Sequence, residues 1–199
     1  MGELVVVRHG QTEWSTSGQH TGLTDLPLLA HGEDDGRRLR SVLGQREITH
    51  AFVSPLVRAR HTAELAGLFD DGIDAQLEPD LVEVDYGGWE GLTTPEISER
   101  VGHSWSLWHD GTVPGETPGE TLAQVAERVD RVLERARPLL ADGDVAIVAH
   151  GHVLRVLAAR WIGFGPEQGA LFPLATGRYG TLGYEHEWPA LTGWNTGCP

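Results

Sequence analysis

The chain has 199 residues, 40% of them hydrophobic and 22% charged, a mix that suits one globular domain with a real core. Its formal net charge of -14 excludes the broad basic surface that nucleic acid or an anionic membrane requires. One cysteine, Cys198, excludes an internal disulfide and a cysteine-based zinc site. All 15 cationic side chains are arginine, so lysine-dependent P-loop, Schiff-base and Ser-x-x-Lys chemistry is excluded too.

Leu4 to Val7 is a short apolar run ending at Arg8-His9-Gly10, read as a buried strand of a parallel sheet. The start is too short and too quickly charged for a signal peptide, and no apolar run is long enough to span a membrane, so a cytoplasmic protein is expected. A polar loop follows through Asp25, then a helix from about Gly32 to Leu43, with Leu39, Val42 and Leu43 inward. Ala51 to Val53 reads as a second strand, Val57 to Phe69 as a helix, and Ala75 to Leu77 as a third strand. Residues 80–120 are irregular, with a helix start at Thr94-Pro95-Glu96. Thr121 to Leu140 carries one apolar stripe through Leu122, Val125, Val129, Val132 and Ala136, the pattern of an amphipathic helix. Ala146 to Val148 is a further buried strand, ending at His150-Gly151, and a helix follows to about Trp161. Tyr179 to Trp194 alternates loosely, as one or two edge strands do. Strands alternating with helices predict an α/β fold, three-layer α/β/α, with a mostly parallel central sheet and a single domain over 1–199.

Two of these strands end in His-Gly, and ligands of open α/β sheets sit beyond the carboxyl ends of strands. Arg8 beside His9 offers a planar guanidinium to a phosphate dianion, and Arg58 opens a helix on the same face, where helix N-termini favour anions. Arg60 reads as a solvated position. His150-Gly151-His152 has i, i+2 spacing, but a helix start at this point turns His152 away, so no metal site is expected.

Arg8-His9-Gly10-Gln11-Thr12-Glu13-Trp14, Ser54-Pro55-Leu56-Val57-Arg58-Ala59-Arg60-His61-Thr62-Ala63, Glu83 before Tyr86-Gly87-Gly88-Trp89-Glu90-Gly91, and Ala149-His150-Gly151 together resemble the histidine phosphatase (phosphoglycerate mutase-like) superfamily, in order and spacing, from residue 4 to about 190. The resemblance implies a phosphoglycerate mutase-like fold with His9 as the nucleophile that becomes phosphohistidine. It makes Arg8, Arg58 and His150 the phosphate pocket and Glu83 the proton donor to the leaving oxygen. Ser15, Thr21, Gly22, Tyr86 and Gly151 are the substrate-binding positions it points to. Ser15 stands where many members place Asn, and its hydroxyl keeps one donor for phosphate.

The chemistry of these residues agrees. Neutral imidazole is the nucleophile, one ring nitrogen being held by an acceptor so that the other faces phosphorus. Two arginines and a protonated His150 would supply the positive charge without Mg²⁺, so no cofactor is expected. Glu83 must carry a proton to donate it, so activity should lean acidic.

Phosphoglycerate mutases share this site but are usually longer and more basic around the substrate, so a phosphatase is favoured over a cofactor-dependent mutase and over a phospho-ligand binding protein. The substrate expected is a small phosphorylated metabolite, in the manner of sedoheptulose-1,7-bisphosphatase-like enzymes or broad-range acid phosphatases. Residues 80–120 are expected to form a lid-like insertion over the site, with Trp105, Trp108 and His109 either lining it or packing on the body. No nucleic-acid or membrane partner is expected, and the sequence leaves a homo-oligomer open.

Overall fold

The computed structural model describes residues 2–112 and 118–198. Six strands form one sheet: β1 (Leu4–Arg8), β2 (Ile48–Val53), β3 (Asp74–Leu77), β4 (Asp144–Ala149), β5 (Tyr179–Glu185) and β6 (Trp188–Thr196), in the order β3-β2-β4-β1-β5-β6. The first four in this order are parallel, and β5 and β6 add an antiparallel hairpin beyond β1. The sheet is thus mostly parallel. Only β6 of the tail lies at an edge, because β5 pairs with β1 on its other side.

Alternation along β1 explains the layers. Leu4 and Val6 enter one apolar cluster and Val5 and Val7 another, all four fully buried. The first cluster packs under α6 (Leu122–Leu139) and α7 (Gly151–Trp161). The second packs under α2 (Ala30–Leu43) and α3 (Val57–Leu65). Each such buried side chain stabilises the fold by about 1.5–3 kcal/mol, so both helical layers are tied to the strand that ends in His9.

Some boundaries depart from the sequence pattern. The helix expected to run to Phe69 stops at Leu65. Gly67 adopts φ +78 just beyond the end, and Phe69 is exposed. The polar loop before Asp25 contains a short helix, α1 (Glu13–Ser17), closed by a reciprocal pair between Thr12 and Ser15. Within 80–120, α4 (Thr94–Val101) carries Pro95 in its first turn and α5 (Leu107–Asp110) follows. Residues 113–117 of the expected lid lie outside the described residues. Trp105 is buried in the core and Trp108 packs against it, while His109 is exposed, so the two tryptophans pack on the body.

Candidate active site

Strand register assembles the site. β1 and β4 pair in parallel with Arg8 opposite Ala149, so His9 and His150 are the next residue on each of two neighbouring strands. The His9 N–H donates to the Ala149 carbonyl at 3.0 Å, and the Ser54 N–H, at the end of β2, donates to Val148 at 2.9 Å. Three adjacent strands therefore deliver His9, His150 and Ser54 to one edge of the sheet. The two imidazole rings stand 5.1 Å apart, although 141 positions separate them along the chain.

The His9 ring is held by its own loop. Its Nδ1 lies 2.7 Å from the Gly10 carbonyl, which can only accept, so the hydrogen sits on Nδ1 and Nε2 keeps its lone pair. Burial, with the nearby Arg8 and Arg58 charges, pushes the His9 pKa well below the usual histidine value. The ring is thus neutral and lines a cavity of about 180 Å³. Arg8 lines the same cavity. Its Nη1 donates to Leu174 at 2.6 Å, while its Nε is buried with no partner among the described residues. A buried, unpartnered N–H of a cation costs free energy unless an anion meets it, so this atom fits a phosphate oxygen.

Arg58 is fully buried and lies behind the cavity wall rather than in it. Its Nη1 donates to Thr24 at 2.8 Å and its Nη2 to Gly22 at 2.8 Å and Thr21 at 3.3 Å. Its Nε donates to His150 Nδ1 at 3.0 Å. That nitrogen must then carry a lone pair, and His150 Nε2–H donates to Ser54 Oγ at 2.7 Å. The expectation of a protonated His150 is overturned. The ring is neutral, and burial together with Arg58 drives its pKa well below the ordinary value.

Glu83 is 5% exposed and borders the cavity. Its carboxylate accepts the backbone N–H of His152 and Val153, each at 3.0 Å, in the first turn of α7, and that of Val84 at 3.0 Å. The helix that His150 opens has no cap from its own N-cap side chain, so Glu83 serves as the cap from 69 positions away.

The remaining expected positions divide. Thr21 lines the cavity, as do Ser15 and Tyr86. The Ser15 hydroxyl, expected to donate to phosphate, instead donates to the Thr12 carbonyl and accepts from the Thr12 N–H at 2.9 Å. Gly22 and Gly151 do not line the cavity. A Cβ on Gly22 would stand 2.5 Å from the Val84 carbonyl, and one on Gly151 would stand 3.0 Å from Arg8 Cζ, so both glycines allow close packing behind the site.

Several site residues were not anticipated. His152, expected to face elsewhere, lines the cavity. The Tyr86 hydroxyl lies 2.5 Å from its Nδ1. The first turn of α7 carries the ring back over the sheet edge. Trp14, Gln19 and His20 complete this wall. Glu90 accepts the N–H of Gly22 at 2.9 Å and of Thr24 at 3.1 Å, fixing the loop whose carbonyls hold Arg58. That loop also pairs with residues 91–93 through the Gln19–Thr93 bridge. Only the Tyr86 to Gly91 run hinted at Glu90, the motif that Ser54 opens gave Ser54 no role of its own, and no local signal singled out His20.

An α/β sheet that presents a neutral, pinned imidazole beside arginines suits the class of phosphoryl-transfer enzymes. Residues 4–197 match the pattern of the histidine phosphatase superfamily, branch 1. The chain is 37% identical over 185 residues to an acid phosphatase of Mycobacterium tuberculosis, covering 92% of this chain and 87% of that one. It is 38% identical over 188 residues to sedoheptulose 1,7-bisphosphatase of Saccharomyces cerevisiae, covering 82% and 69%. A 2,3-bisphosphoglycerate-dependent phosphoglycerate mutase of Cytophaga hutchinsonii is 36% identical over 182 residues, covering 87% and 84%. The solved structure of a Mycobacterium tuberculosis open reading frame product superposes with a TM-score of 0.90 at 33% identity, covering 100% of this chain and 99% of that one. The chain belongs to the histidine phosphatase superfamily, and it is an enzyme of the phosphatase kind. No helix among the described residues is long and apolar enough to cross a membrane.

Proposed function

We propose that the chain is a cytoplasmic, metal-independent phosphomonoesterase that hydrolyses small phosphorylated metabolites through a phosphohistidine on His9. The observation that carries this reading is the buried, unpartnered Nε of Arg8 beside a His9 ring whose Nδ1 is pinned to Gly10.

The dianion docks on Arg8, with the buried charge of Arg58 behind it. His9 Nε2 attacks phosphorus with its lone pair while the bond to the leaving oxygen breaks, and protonated Glu83 gives its proton to that oxygen. The Nδ1–H keeps its bond to Gly10 throughout, spreading the charge that forms on the ring. Water then enters, Glu83 takes its proton, and the oxygen attacks phosphorus. The P–N bond breaks and its electron pair returns to Nε2, which restores the neutral imidazole. The transition state is loose, so positioning and fixed positive charge supply most of the acceleration, a task two arginines meet without a metal. The whole chain acts as one domain in this reading, and the stretch after β3 brings Glu83 and Tyr86 to the cavity. The two phosphatases named above support this reading.

Hydrolysis of p-nitrophenyl phosphate in EDTA, with rapid alkaline quenching of ³²P-labelled enzyme, tests it. Labelled phosphohistidine and full activity in EDTA are expected, and His9→Ala should lose both with an unchanged circular dichroism spectrum. Turnover by His9→Ala, or activity that EDTA abolishes, would refute it.

A further inference from the structure

The loop that carries His9 has its backbone engaged group by group. The His9 N–H donates to the Ala149 carbonyl at 3.0 Å, and the His9 carbonyl accepts from the Gly177 N–H at 3.0 Å. The Gly10 carbonyl accepts from His9 Nδ1 at 2.7 Å. The Gly10 N–H donates to Thr62 Oγ1 at 3.1 Å. Of these four backbone groups, the Gly10 N–H is the one that rests on a side chain from another element, so it is the one that a substitution elsewhere can release.

Thr62 is fully buried and stands one turn after Arg58 in α3. Its hydroxyl has a single hydrogen, which goes to the Arg58 carbonyl at 2.7 Å. The oxygen is left to accept, and the Gly10 N–H is what it receives. Gly10 has no slack on its other side. A Cβ there would stand 2.2 Å from the Gly32 carbonyl, because the first turn of α2 lies against this residue. Gly10 is thus clamped between α2 and α3, and its carbonyl is held where His9 Nδ1 meets it.

We propose that Thr62 is a positioning residue whose hydroxyl oxygen seats Gly10, so that the Gly10 carbonyl keeps the ring hydrogen on His9 Nδ1 and leaves the Nε2 lone pair free for phosphorus. This rests on the phosphohistidine reading and adds to it the residue that sets the state of the nucleophile. The N–H and the carbonyl of Gly10 flank one Cα, so a turn of the residue that relieves the first displaces the second. Without the Thr62 oxygen the buried N–H has no acceptor, and that turn becomes favourable. The bond from Nδ1 to the Gly10 carbonyl then weakens. The ring hydrogen leaves Nδ1 and a hydrogen is taken up on Nε2, where it occupies the electron pair that attack requires.

Thr62→Val keeps the volume and the β-branched shape and removes the oxygen. kcat/KM for p-nitrophenyl phosphate, which reports the steps up to departure of nitrophenolate, should fall by about tenfold to a hundredfold, the cost of one unmet buried N–H expressed as a rate. Thr62→Ser keeps the oxygen and loses a methyl, so it should recover most of that activity although it melts earlier. Inhibition by inorganic phosphate should stay within about threefold of wild type in both variants, because the guanidinium groups of Arg8 and Arg58 keep their own partners. In spectra of ¹⁵N-histidine-labelled protein, the His9 signals are identified by their loss in His9→Ala. They should place the hydrogen on Nδ1 in wild type and Thr62→Ser, and wholly or partly on Nε2 in Thr62→Val. Where Thr62→Val does not fold, Thr62→Ala against Thr62→Ser makes the same comparison, since these two differ by the hydroxyl alone. A kcat/KM within twofold of wild type, a hydrogen that stays on Nδ1 in the variant without the oxygen, or a phosphate affinity that falls as far as turnover overturns the proposal. A wild type that leaves p-nitrophenyl phosphate intact overturns the phosphatase reading instead, and the place of the His9 hydrogen then decides for or against Thr62 by itself.

Discussion

The Nε–H of Arg58 donates to Nδ1 of His150 at 3.0 Å, and this contact decides the charge of the second histidine. A lone pair that accepts from a guanidinium cannot also hold a proton, so the positive charge at the sheet edge comes from the two arginines alone. Arg58 does more than add charge. It fixes His150 on one side and the carbonyls of Thr21, Gly22 and Thr24 on the other.

Arg58→Lys keeps the charge but cannot span those acceptors. It should lower kcat/KM for p-nitrophenyl phosphate by about 10²–10³, the usual effect of losing one preorganised donor. Inhibition by inorganic phosphate should weaken in parallel. A loss below threefold would show that charge alone matters at this position.

Three histidines, His9, His150 and His152, are held neutral with pKa values well below 6.5, burial being the largest cause for each. In the unfolded chain they protonate near pH 6.5, so below that the unfolded state binds more protons than the folded one. Their contribution is full above about pH 6.5 and is lost progressively as the pH falls towards the folded values. The ligand-free protein should therefore lose up to about 1.4 kcal/mol per histidine for each pH unit below 6.5. Urea midpoints between pH 7 and pH 5 would measure this slope. His9→Ala should flatten it by about a third, and an unchanged slope would show that His9 is protonated in the folded state. The same low pKa would keep His9 competent as the proposed nucleophile in acid, so kcat/KM should not decline as the pH drops through 6.5.

Glu90 touches neither cation, yet its carboxylate takes the N–H of Gly22 and Thr24 and so holds the loop under Arg58. Glu90→Gln swaps one acceptor oxygen for a donor that faces those same N–H groups. kcat for p-nitrophenyl phosphate should fall about tenfold, and phosphate binding should weaken with it. Since Glu90 is a positioning residue, Glu90→Asp, which keeps both oxygens, should restore part of the loss. Equal activity in Glu90→Gln and wild type would detach this loop from the site.

How legible the molecule was in its sequence depended on the range of each interaction. The strands of β1 and β4 were readable because both faces are covered, which leaves an unbroken apolar run ending at His9 or His150. That Arg8 and Arg58 gather at the strand ends was readable from a strand end and a helix start, while the place of Glu83 at the cavity was readable only through the family resemblance. Contacts made across the chain were not readable. His152 was read as turned away because i, i+2 spacing at a helix start gives no direction until Tyr86, 66 positions distant, supplies a partner. The neutral state of His150 depends on a donor 92 positions away. The true end of α3 lay in the φ of Gly67, since the apolar spacing runs on to Phe69 without a break.

In the proposed mechanism Glu83 has three jobs, and one substitution separates the first, acid to the leaving oxygen, from the other two, base to the attacking water and cap of α7. As an acid it would protonate the leaving oxygen, as a base it would take the proton of water, and as an acceptor it caps α7 through His152 and Val153. Glu83→Gln removes the proton donor and one of the two acceptor oxygens together. Loss of the cap or of the base affects every substrate alike, because the helix start and the phosphohistidine that water attacks are the same whatever was bound. Loss of the acid depends on the leaving group. Nitrophenolate departs without help, whereas an alkoxide of a sugar or polyol must be protonated as it goes. Glu83→Gln should therefore cut kcat for an alkyl or sugar phosphate by about 10²–10⁴, and p-nitrophenyl phosphate turnover by at least tenfold less than that. Plotting log kcat against leaving-group pKa for wild type and variant gives the answer directly. A steeper negative slope in the variant marks Glu83 as the proton donor, whereas parallel lines would deny it that role and leave it only those that every substrate shares.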